Sequence, residues 1–305
     1  MAYNLNNKLV VAVSSRALFD LETENKIFED KGLDEYYKYQ LENENMPIAK
    51  GTGFRLIENL LKINKYFSEE EKQVEVIILS RNNAAISLRI TNAINEYKLQ
   101  IQRSGWTSGR DISAYLQAFK VDLFLSANDN DVSNAIQNGI AAAKILPSSK
   151  NVHNSLGDQV RIAFDGDAVL FSEESELIYK QHGLTAFIEH EQTNRDNPLA
   201  QGPFAKLLLT ISAIQEKFKG KQSPIRTALV TARSAPTQER VIKTLNVWGV
   251  RVDEAFFLGG SEKYEILKAF GADIFFDDQD THLDLSSSVV PSAKVIHKSI
   301  EQYKK

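Results

Sequence analysis

Short apolar runs alternate with longer amphipathic stretches along the whole chain. The first half has apolar runs at 9–13 and 74–79, and the second half has similar runs at 160–164 and 227–230. Each run ends in polar residues and is followed by apolar positions at helical spacing, which is typical of a buried strand that leads into a helix. Strands that alternate with helices predict an α/β fold with a parallel, doubly wound sheet in each half.

Two further strands in each half complete the predicted sheet. Short alternating segments at 99–101 and 250–252 predict one of them, and the strings LFLSAND at 123–129 and IFFDDQD at 274–280 predict the other. Ligands of parallel sheets bind at the carboxyl ends of the strands, near the topological switch point. The polar residues directly after the apolar runs are therefore the candidates for chemistry.

The two halves are similar to each other at a constant offset of 151 residues. The string PIAKG at 47–51 aligns with PLAQG at 198–202, and LQAFKVDLFLSAND at 116–129 aligns with LKAFGADIFFDDQD at 267–280. Matched Gly, Pro and Asp at one offset are hard to explain by general α/β patterning. We therefore predict two tandem Rossmann-like units that arose by internal duplication. The predicted units are residues 1–150 and 151–305.

Composition and charge exclude several classes of protein. The 305 residues are 43% hydrophobic and 25% charged, which suits a globular fold, and the net charge is −4. Because no Lys/Arg-rich block is present, binding to DNA or RNA is not expected. The lack of cysteine excludes disulfides, thiolate metal sites and a cysteine nucleophile. No apolar run approaches the ~20 residues that span a bilayer, and no signal peptide is recognisable, so we expect a cytoplasmic protein without membrane contact.

Carboxylates, a hydroxyl and a lysine follow the predicted strands of the second half. In chain order they are Asp165, Asp167, Thr231, Lys263, Asp277 and Asp278. One carboxylate can attack phosphorus, a second can transfer a proton, and a hydroxyl and an ammonium group can hold phosphate oxygens. Carboxylate oxygens are also the ligands that Mg²⁺ prefers, and this cation neutralises phosphate charge. Each residue alone could be a strand-end, helix-surface or helix-cap residue, but together they indicate phosphoryl transfer.

The order of these residues resembles the four motifs of the haloacid dehalogenase superfamily of phosphatases. Longer strings are similar to the cytosolic 5′-nucleotidase type I family: VVAVSSRALFDLETENKIFE at 10–29, FDGDAVLFSEESE at 164–176, LVTARSA at 229–235 and FFDDQ at 275–279. The resemblance implies haloacid dehalogenase-like units, each with a small helical cap. It also implies Mg²⁺-dependent hydrolysis of nucleoside 5′-monophosphates of the AMP or IMP type.

The resemblance assigns catalysis and metal binding to four aspartates. Asp165 would attack phosphorus and become an aspartyl phosphate. Asp167 would protonate the leaving oxygen, then activate water, and its backbone carbonyl would join Asp165 in binding Mg²⁺. Asp278 would bind the metal directly, and Asp277 would assist through water or a hydrogen bond, although this order could be reversed.

The resemblance also implies a phosphate-binding set of Thr231, Ala232, Arg233 and Lys263. Thr231 would hydrogen-bond to the transferring phosphate, and Lys263 would offset the charge on the phosphate and the nucleophile, which makes it the third catalytic residue. Arg233 lies two residues after Thr231, so it could reach phosphate or ribose. A structural salt bridge is an equally good interpretation of Arg233.

The segment at about 172–225 is longer than a simple crossover needs and has helical periodicity. In the resembled superfamily, such an insertion is a cap that selects the leaving group and excludes water. Candidate base or ribose contacts within it are Phe187, His190, Glu191 and Asn194. The alternatives are core packing for Phe187 and a solvated helix face for the other three.

The same offset places no carboxylate at the catalytic positions of the first half. The six catalytic positions correspond to Ser14, Arg16, Ser80, Ile112, Ser126 and Ala127. We therefore predict that this half neither holds Mg²⁺ nor forms an acyl phosphate.

Hydroxyl and guanidinium groups nevertheless remain at the strand ends of the first half. Ser14, Arg16, Ser80 and Arg81 form a candidate second anion site, because arginine suits phosphate oxygens. Such a site could bind a regulatory nucleotide or orient the substrate, and the resembled family has members that nucleoside diphosphates activate. The alternative is a purely structural half.

Two other functions remain open at this stage. A phosphatase for another small phosphomonoester, such as a sugar phosphate, would share the core residues and differ in the cap. A non-catalytic nucleotide sensor would bind without turnover, and the intact aspartate set argues against it. The five histidines lack the spacing of metal ligands. Base preference and a homo-oligomeric state are left open.

Overall fold

The computed structural model describes residues 4–147, 157 and 159–296, so the predicted boundary between the two units lies outside the described residues. The strands are β1 (Leu9–Val13), β2 (Val74–Ser80), β3 (Arg103–Trp106), β4 (Leu123–Ser126), β5 (Ala141–Ile145), β6 (Val160–Phe164), β7 (Ile225–Thr231), β8 (Glu254–Phe257), β9 (Ile274–Asp277) and β10 (Ser292–Lys294). The α-helices are α1 (Ser15–Leu18), α2 (Glu22–Glu42), α3 (Phe54–Lys62), α4 (Leu88–Glu96), α5 (Ser113–Ala118), α6 (Asp129–Gln137), α7 (Glu174–Thr193), α8 (Ala205–Glu216), α9 (Gln238–Trp248), α10 (Tyr264–Phe270) and α11 (Asp280–Ser286).

All ten strands belong to one sheet, in the order β3-β2-β1-β4-β5-β10-β9-β6-β7-β8. The strands within each half are parallel, as predicted, and both halves have the same order outward from the centre. The central pair β5 and β10 is antiparallel, with Ala293 opposite Ile145. The repeated order agrees with an internal duplication, which stays a prediction.

The central strands are buried because helices cover both faces of the sheet. Val11 and Val13 of β1 face the same cluster as Leu56 of α3 and Leu208 of α8, which spans both halves. The intervening β1 residues face a second cluster with α5 and α6, and a third cluster with α10 and α11 covers this face in the second half. Near-continuous apolar strands of this kind are what a sheet with two covered faces requires.

The predicted edge strands at 99–101 and 250–252 are wrong in position. The observed edge strands, β3 and β8, begin four residues later in each half. The N–H of Leu99 donates to the carbonyl of Ile94 (3.0 Å), and the N–H of Val250 donates to that of Leu245 (3.3 Å). These apolar residues therefore close the preceding helices and do not enter the sheet.

The antiparallel centre separates the strand ends of the two halves. The strands of the first half run in the opposite direction to those of the second half, because β5 and β10 are antiparallel. The carboxyl ends of β1 and β6 therefore point towards opposite ends of the sheet along the strand direction. The residues after β1 and β2 are therefore remote from those after β6 and β7, and this geometry does not support a direct role of the first cluster in orienting a substrate at the second. No described helix combines the length and apolar character needed to cross a membrane.

Candidate active site

The centre of the site is a buried lysine between two aspartates. Asp165 follows β6, and its N–H donates to the carbonyl of Phe276 on the neighbouring strand β9 (2.8 Å), which brings the ends of the two strands together. The Nζ of Lys263, just before α10, lies 2.7 Å from Oδ1 of Asp165 and 2.8 Å from Oδ2 of Asp277. All three side chains are almost completely buried. The structure thus brings three of the predicted site residues into contact.

A third aspartate adds an unsatisfied oxygen to this cluster. Carboxylate oxygens of Asp165, Asp277 and Asp278 lie within 4.8 Å of one another. Asp277 is fully engaged, because its Oδ1 accepts from the N–H of Gln279 (2.8 Å) and its Oδ2 lies 3.2 Å from Nδ1 of His282 as well as near Lys263. Oδ1 of Asp278 is buried and has no hydrogen-bond partner among the described residues. Such a group is expected to bind an ion or water, so the three carboxylates could hold a metal ion.

The pKa shifts of the three aspartates indicate that the cluster holds too little positive charge to keep all three ionised. Burial raises the pKa of Asp165 to about 7, although Lys263 opposes the shift. Burial and the charges of Asp277 and Asp165 raise the pKa of Asp278 well above its ordinary value. Burial alone would also raise the pKa of Asp277, but Lys263 and His282 outweigh it and hold that pKa below the usual range. Lys263 contacts two of the three carboxylates, and a bound cation would stabilise Asp165 and Asp278 as anions.

Arg233 forms salt bridges with two carboxylates. Its Nε donates to Oδ2 of Asp167 (2.8 Å), its Nη2 donates to Oδ1 of Asp167 (2.6 Å), and its Nη1 pairs with Glu191. Asp167 lies in the turn after β6, and Arg233 lies two residues after the end of β7. The structure thus contains the salt bridge that the sequence left open, and binding of phosphate or ribose by Arg233 stays a prediction.

The other predicted phosphate-binding residues line the same strand end. Thr231 is the buried last residue of β7, and a Cβ on Gly166 would lie only 3.3 Å from its Oγ1, so glycine allows the turn after Asp165 to approach it. The carbonyl of Ala232 accepts from the N–H of Gly260 (3.1 Å). This bond ties the β7 loop to the loop that leads to Lys263.

The predicted cap segment divides into two parts. Helix α7 breaks at Gly183, where φ is 81° and ψ is −177°, and so forms a hairpin of two arms. Helix α8 contributes buried leucines to the core cluster on the sheet and contacts β1. Helix α7 contacts two loops of the site: the ring centre of Phe187 lies 5.1 Å from Cζ of Arg233, and Gln279 donates to Glu176 at 3.3 Å. Helix α8 contacts the turn Gly166–Leu170, which carries Asp167.

The four candidate base contacts, three on α7 and Asn194 directly after it, do not all reach the site. Phe187 and Glu191 contact Arg233. His190 instead lies 3.2 Å from Glu174, and Asn194 donates to the carbonyl of His190 at 3.0 Å. Glu191 is 1% exposed, so a solvated face is the wrong interpretation for this residue.

His282 and Glu176 are site residues that sequence reasoning missed. The histidines lack the spacing of metal ligands, but His282, in the first turn of α11, contacts an aspartate five residues earlier. The repeat gives no signal for this contact, because Asp131 and Ser126 occupy the equivalent positions of the first half.

The candidate second anion site has its charges paired locally. Ser14 caps α1 by accepting from the N–H of Ala17 (3.3 Å), and Oγ of Ser80 lies 3.2 Å from Oγ of Ser15. Arg16 pairs with Glu22 at 3.0 Å. Together with the Arg81–Asp131 pair, this leaves both predicted arginines bound to carboxylates of their own half.

Comparisons with known proteins agree with the chemistry of the site. A family model described as 5′-nucleotidase matches residues 1–302 of the chain. The human protein cytosolic 5′-nucleotidase 1B is 40% identical over 287 residues, which cover 91% of this chain and 47% of that protein. The chain thus spans about half the length of this curated relative.

Proposed function

The chain belongs to the 5′-nucleotidase family, and from this premise we propose that it is a Mg²⁺-dependent phosphoric monoester hydrolase that converts nucleoside 5′-monophosphates to nucleoside and phosphate. The observation that carries the proposal is the buried cluster of Lys263 with Asp165, Asp277 and Asp278. Burying three carboxylates with one ammonium group costs the fold stability, and such clusters of perturbed acids concentrate at functional sites.

The donor set fits a hard divalent cation. Three carboxylate oxygens lie within 4.8 Å of one another, and the buried Oδ1 of Asp278 lacks a partner in the described structure. Asp165, Asp278 and the backbone carbonyl of Asp167 would hold Mg²⁺, with Asp277 in support because Lys263 and His282 occupy it. When bound, the cation supplies charge neutralisation for the phosphate.

The chain's own residues account for both chemical steps. A carboxylate oxygen of Asp165 attacks phosphorus, the bond from phosphorus to the 5′ oxygen breaks, and Asp167 gives its proton to that oxygen. Water then attacks the aspartyl phosphate while Asp167 takes a proton from it, and the bond from phosphorus to Asp165 breaks to release phosphate. Lys263 balances charge on the nucleophile, and Thr231 and the backbone at Ala232 bind the transferring group.

We propose that the cap of the catalytic unit is the hairpin α7. The contacts of its Glu176 with Gln279 and of its Phe187 with Arg233 support this proposal, in which the hairpin contacts the leaving nucleoside. A sugar phosphatase would use the same core, and the alternative of a nucleotide sensor would use it without turnover. A cytoplasmic location is supported by the name of the human relative, and a homo-oligomer stays a prediction.

Phosphate release from a panel of substrates tests the proposal. AMP, IMP, GMP, CMP, UMP, their deoxy forms and several sugar phosphates are assayed with Mg²⁺ and with EDTA, beside Asp165→Asn. We expect turnover of nucleotides that requires the metal and is absent in the variant. Turnover of sugar phosphates alone would overturn the substrate, and tight nucleotide binding without turnover would support the sensor.

The first half is proposed to be catalytically silent, since Ser14 and Arg16 replace the two catalytic aspartates. A nucleotide effector at Ser14, Arg16, Ser80 and Arg81 stays a prediction, and its phosphate would have to compete with Glu22 and Asp131 for the arginines. Equilibrium dialysis of ADP against Asp165→Asn, with and without Arg16→Ala, tests it. Equal stoichiometry and affinity in the two proteins would exclude this site.

A further inference from the structure

A buried network of side chains connects the hairpin α7 to the turn Gly166–Leu170 through Glu191. This turn carries Asp167 and is called the catalytic turn below. Oε1 of Glu191 accepts from the hydroxyl of Ser175 (2.8 Å) and from Nη1 of Arg240 (2.9 Å), while Oε2 pairs with Arg233. Arg233 in turn holds both oxygens of Asp167. Glu191, Arg233 and Arg240 are each at least 95% buried, so these interactions are poorly screened by solvent.

The silent half contains a natural control for this network. Glu24, Gln40 and Arg89 occupy the positions of Ser175, Glu191 and Arg240. Nη1 of Arg89 lies 2.7 Å from Glu24 and 3.0 Å from Gln40, so hairpin α2 is also locked to its neighbouring helix by a buried arginine and one carboxylate. The contact between the hairpin and the neighbouring helix is therefore common to both halves, and it does not require a carboxylate at the position of Glu191 on the second arm.

The two halves differ in where the carboxylate lies. In the silent half the carboxylate is on the first arm of the hairpin, at Glu24. Asn82 replaces Arg233, and its Oδ1 accepts from the hydroxyl of Tyr36 (3.1 Å). In the catalytic half the acid is on the second arm, at Glu191, where it reaches a second arginine. Only this placement extends the network to a carboxylate of the catalytic turn.

We infer that Glu191 is a positioning residue for the reaction: it fixes the Arg233 guanidinium, which aligns the Asp167 carboxyl when the hairpin is docked. Asp167 serves as an acid and then as a base under the proposed function, on which this inference rests. An arginine held in place by Glu191 thus fixes the position of both carboxylate oxygens of Asp167.

The test moves the carboxylate to where the silent half has it. The double variant Ser175→Glu/Glu191→Gln recreates the Glu24–Gln40–Arg89 arrangement, and it is compared with Glu191→Gln, Arg233→Met and Glu191→Gln/Arg233→Met. Thermal stability, kcat and KM for AMP and IMP with Mg²⁺, and hydrogen exchange of α7 and of the turn Gly166–Leu170 are measured for each protein.

We expect Ser175→Glu/Glu191→Gln to regain the stability lost in Glu191→Gln and to protect α7 as in the wild type. Its kcat should stay about 10- to 100-fold below the wild type with little change in KM, because a small misplacement of a reacting group has an effect of this size. The turn Gly166–Leu170 should exchange faster. Adding Glu191→Gln to Arg233→Met should lower kcat no further, since both act through one contact.

Two results would overturn the inference. One is recovery of kcat together with stability in Ser175→Glu/Glu191→Gln, which is what a purely structural role requires. The other is additive loss in Glu191→Gln/Arg233→Met with no change in exchange of the turn.

If the wild type released no phosphate from nucleotides, the proposed function would fail, whereas the exchange measurement would still decide whether Glu191 holds the turn. A second variant that retains the acid, Glu191→Asp, covers the case in which Ser175→Glu/Glu191→Gln does not fold: it should regain part of the kcat lost in Glu191→Gln.

Discussion

Single side chains set the charge balance at the end of β6 and β9. Lys263 is the cation that the described structure places between Asp165 and Asp277, and it is 2% exposed. Asp278 has no comparable partner, and its raised pKa reflects burial beside two other carboxylates. Lys263 therefore stabilises the fold, whereas Asp278 destabilises it unless a cation occupies the site.

Lys263→Met should greatly destabilise the protein. It leaves Asp165 and Asp277 buried without a cation, and breaking a buried ion pair in this way costs about 3–5 kcal/mol. Because a buried, unpaired carboxylate has a raised pKa, the folded state binds more protons than the unfolded state, so the loss should shrink as the pH falls from 7 towards 5. Urea denaturation in EDTA measures this, with the exposed Lys268→Met of the same helix as control. An equal loss in both variants would contradict the prediction.

Asp278→Asn should stabilise the metal-free protein and abolish its response to Mg²⁺. Burial, followed by repulsion from Asp277 and Asp165, raises the pKa of Asp278, and a neutral amide avoids both penalties. In the wild type, Mg²⁺ at 100 times its Kd should add about 2.7 kcal/mol to the free energy of unfolding. Thermal unfolding with EDTA and with Mg²⁺ compares the two proteins. A variant that is less stable in EDTA, or that Mg²⁺ still stabilises as much as the wild type, would refute this.

At the scale of elements, one glycine shapes each hairpin. Gly183 and Gly32 have nearly the same backbone angles, φ 81° with ψ −177° and φ 83° with ψ −174°. This region is accessible essentially to glycine alone, because a Cβ collides with the backbone there. The break turns each long helix into two arms that can interact with each other, which brings Ser175 next to Glu191 and Gln40 close to Arg89.

Gly183→Ala and Gly32→Ala should differ in activity but not in stability. Each substitution introduces the same strain in the local backbone, worth about 1–3 kcal/mol. Beyond the neighbouring residues of the chain, no atom lies within 4 Å of the added Cβ in either variant. Nucleotide turnover should fall in Gly183→Ala, since its hairpin carries Glu191, and should be retained in Gly32→Ala at a temperature where both are folded. Comparison of kcat/KM with thermal stability measures this. Equal losses of turnover in the two variants would mean that hairpin α7 has no greater role in turnover than hairpin α2.

At the scale of the whole molecule, contacts that mirror each other join the two halves. Arg55 of α3 lies 2.7 Å from Asp273, and at the equivalent positions Lys206 of α8 lies 3.4 Å from Asp122. Both aspartates also accept from a strand N–H of their own half, that of Val10 at 3.0 Å or Arg161 at 2.9 Å. Each half therefore completes the hydrogen bonding of the other at the start of β4 or β9.

Arg55→Met should lower stability by about 1–3 kcal/mol, because Asp273 is buried and loses a charge-assisted hydrogen bond. Lys206→Met should cost less than about 1 kcal/mol, since the lysine side chain is 67% exposed. Both proteins should unfold in a single transition, because one sheet and one core cluster span the two halves. Calorimetry measures the difference. Two separate transitions would show that the halves are independent.

Local sequence determined the central strands and the candidate chemistry. Strands β1 and β6 were predicted at their observed bounds, since a strand covered on both faces must be apolar throughout. Asp165, Lys263, Asp277 and Asp278 were predicted to share a site, and they lie together because parallel strands bring the residues at their carboxyl ends close to one another. Their roles in catalysis and metal binding stay predictions.

Tertiary structure alone decided how the halves join and what Arg233 contacts. The β5–β10 pairing unites segments about 150 residues apart, and three-residue β10 carries no pattern that specifies its partner or direction. The contacts of Arg233 with Asp167 and Glu191 bridge 66 and 42 residues, and an arginine binds phosphate and carboxylate through the same donors. Sequence therefore limited Arg233 to an anion, and only the docked hairpin α7 determined which anion it meets.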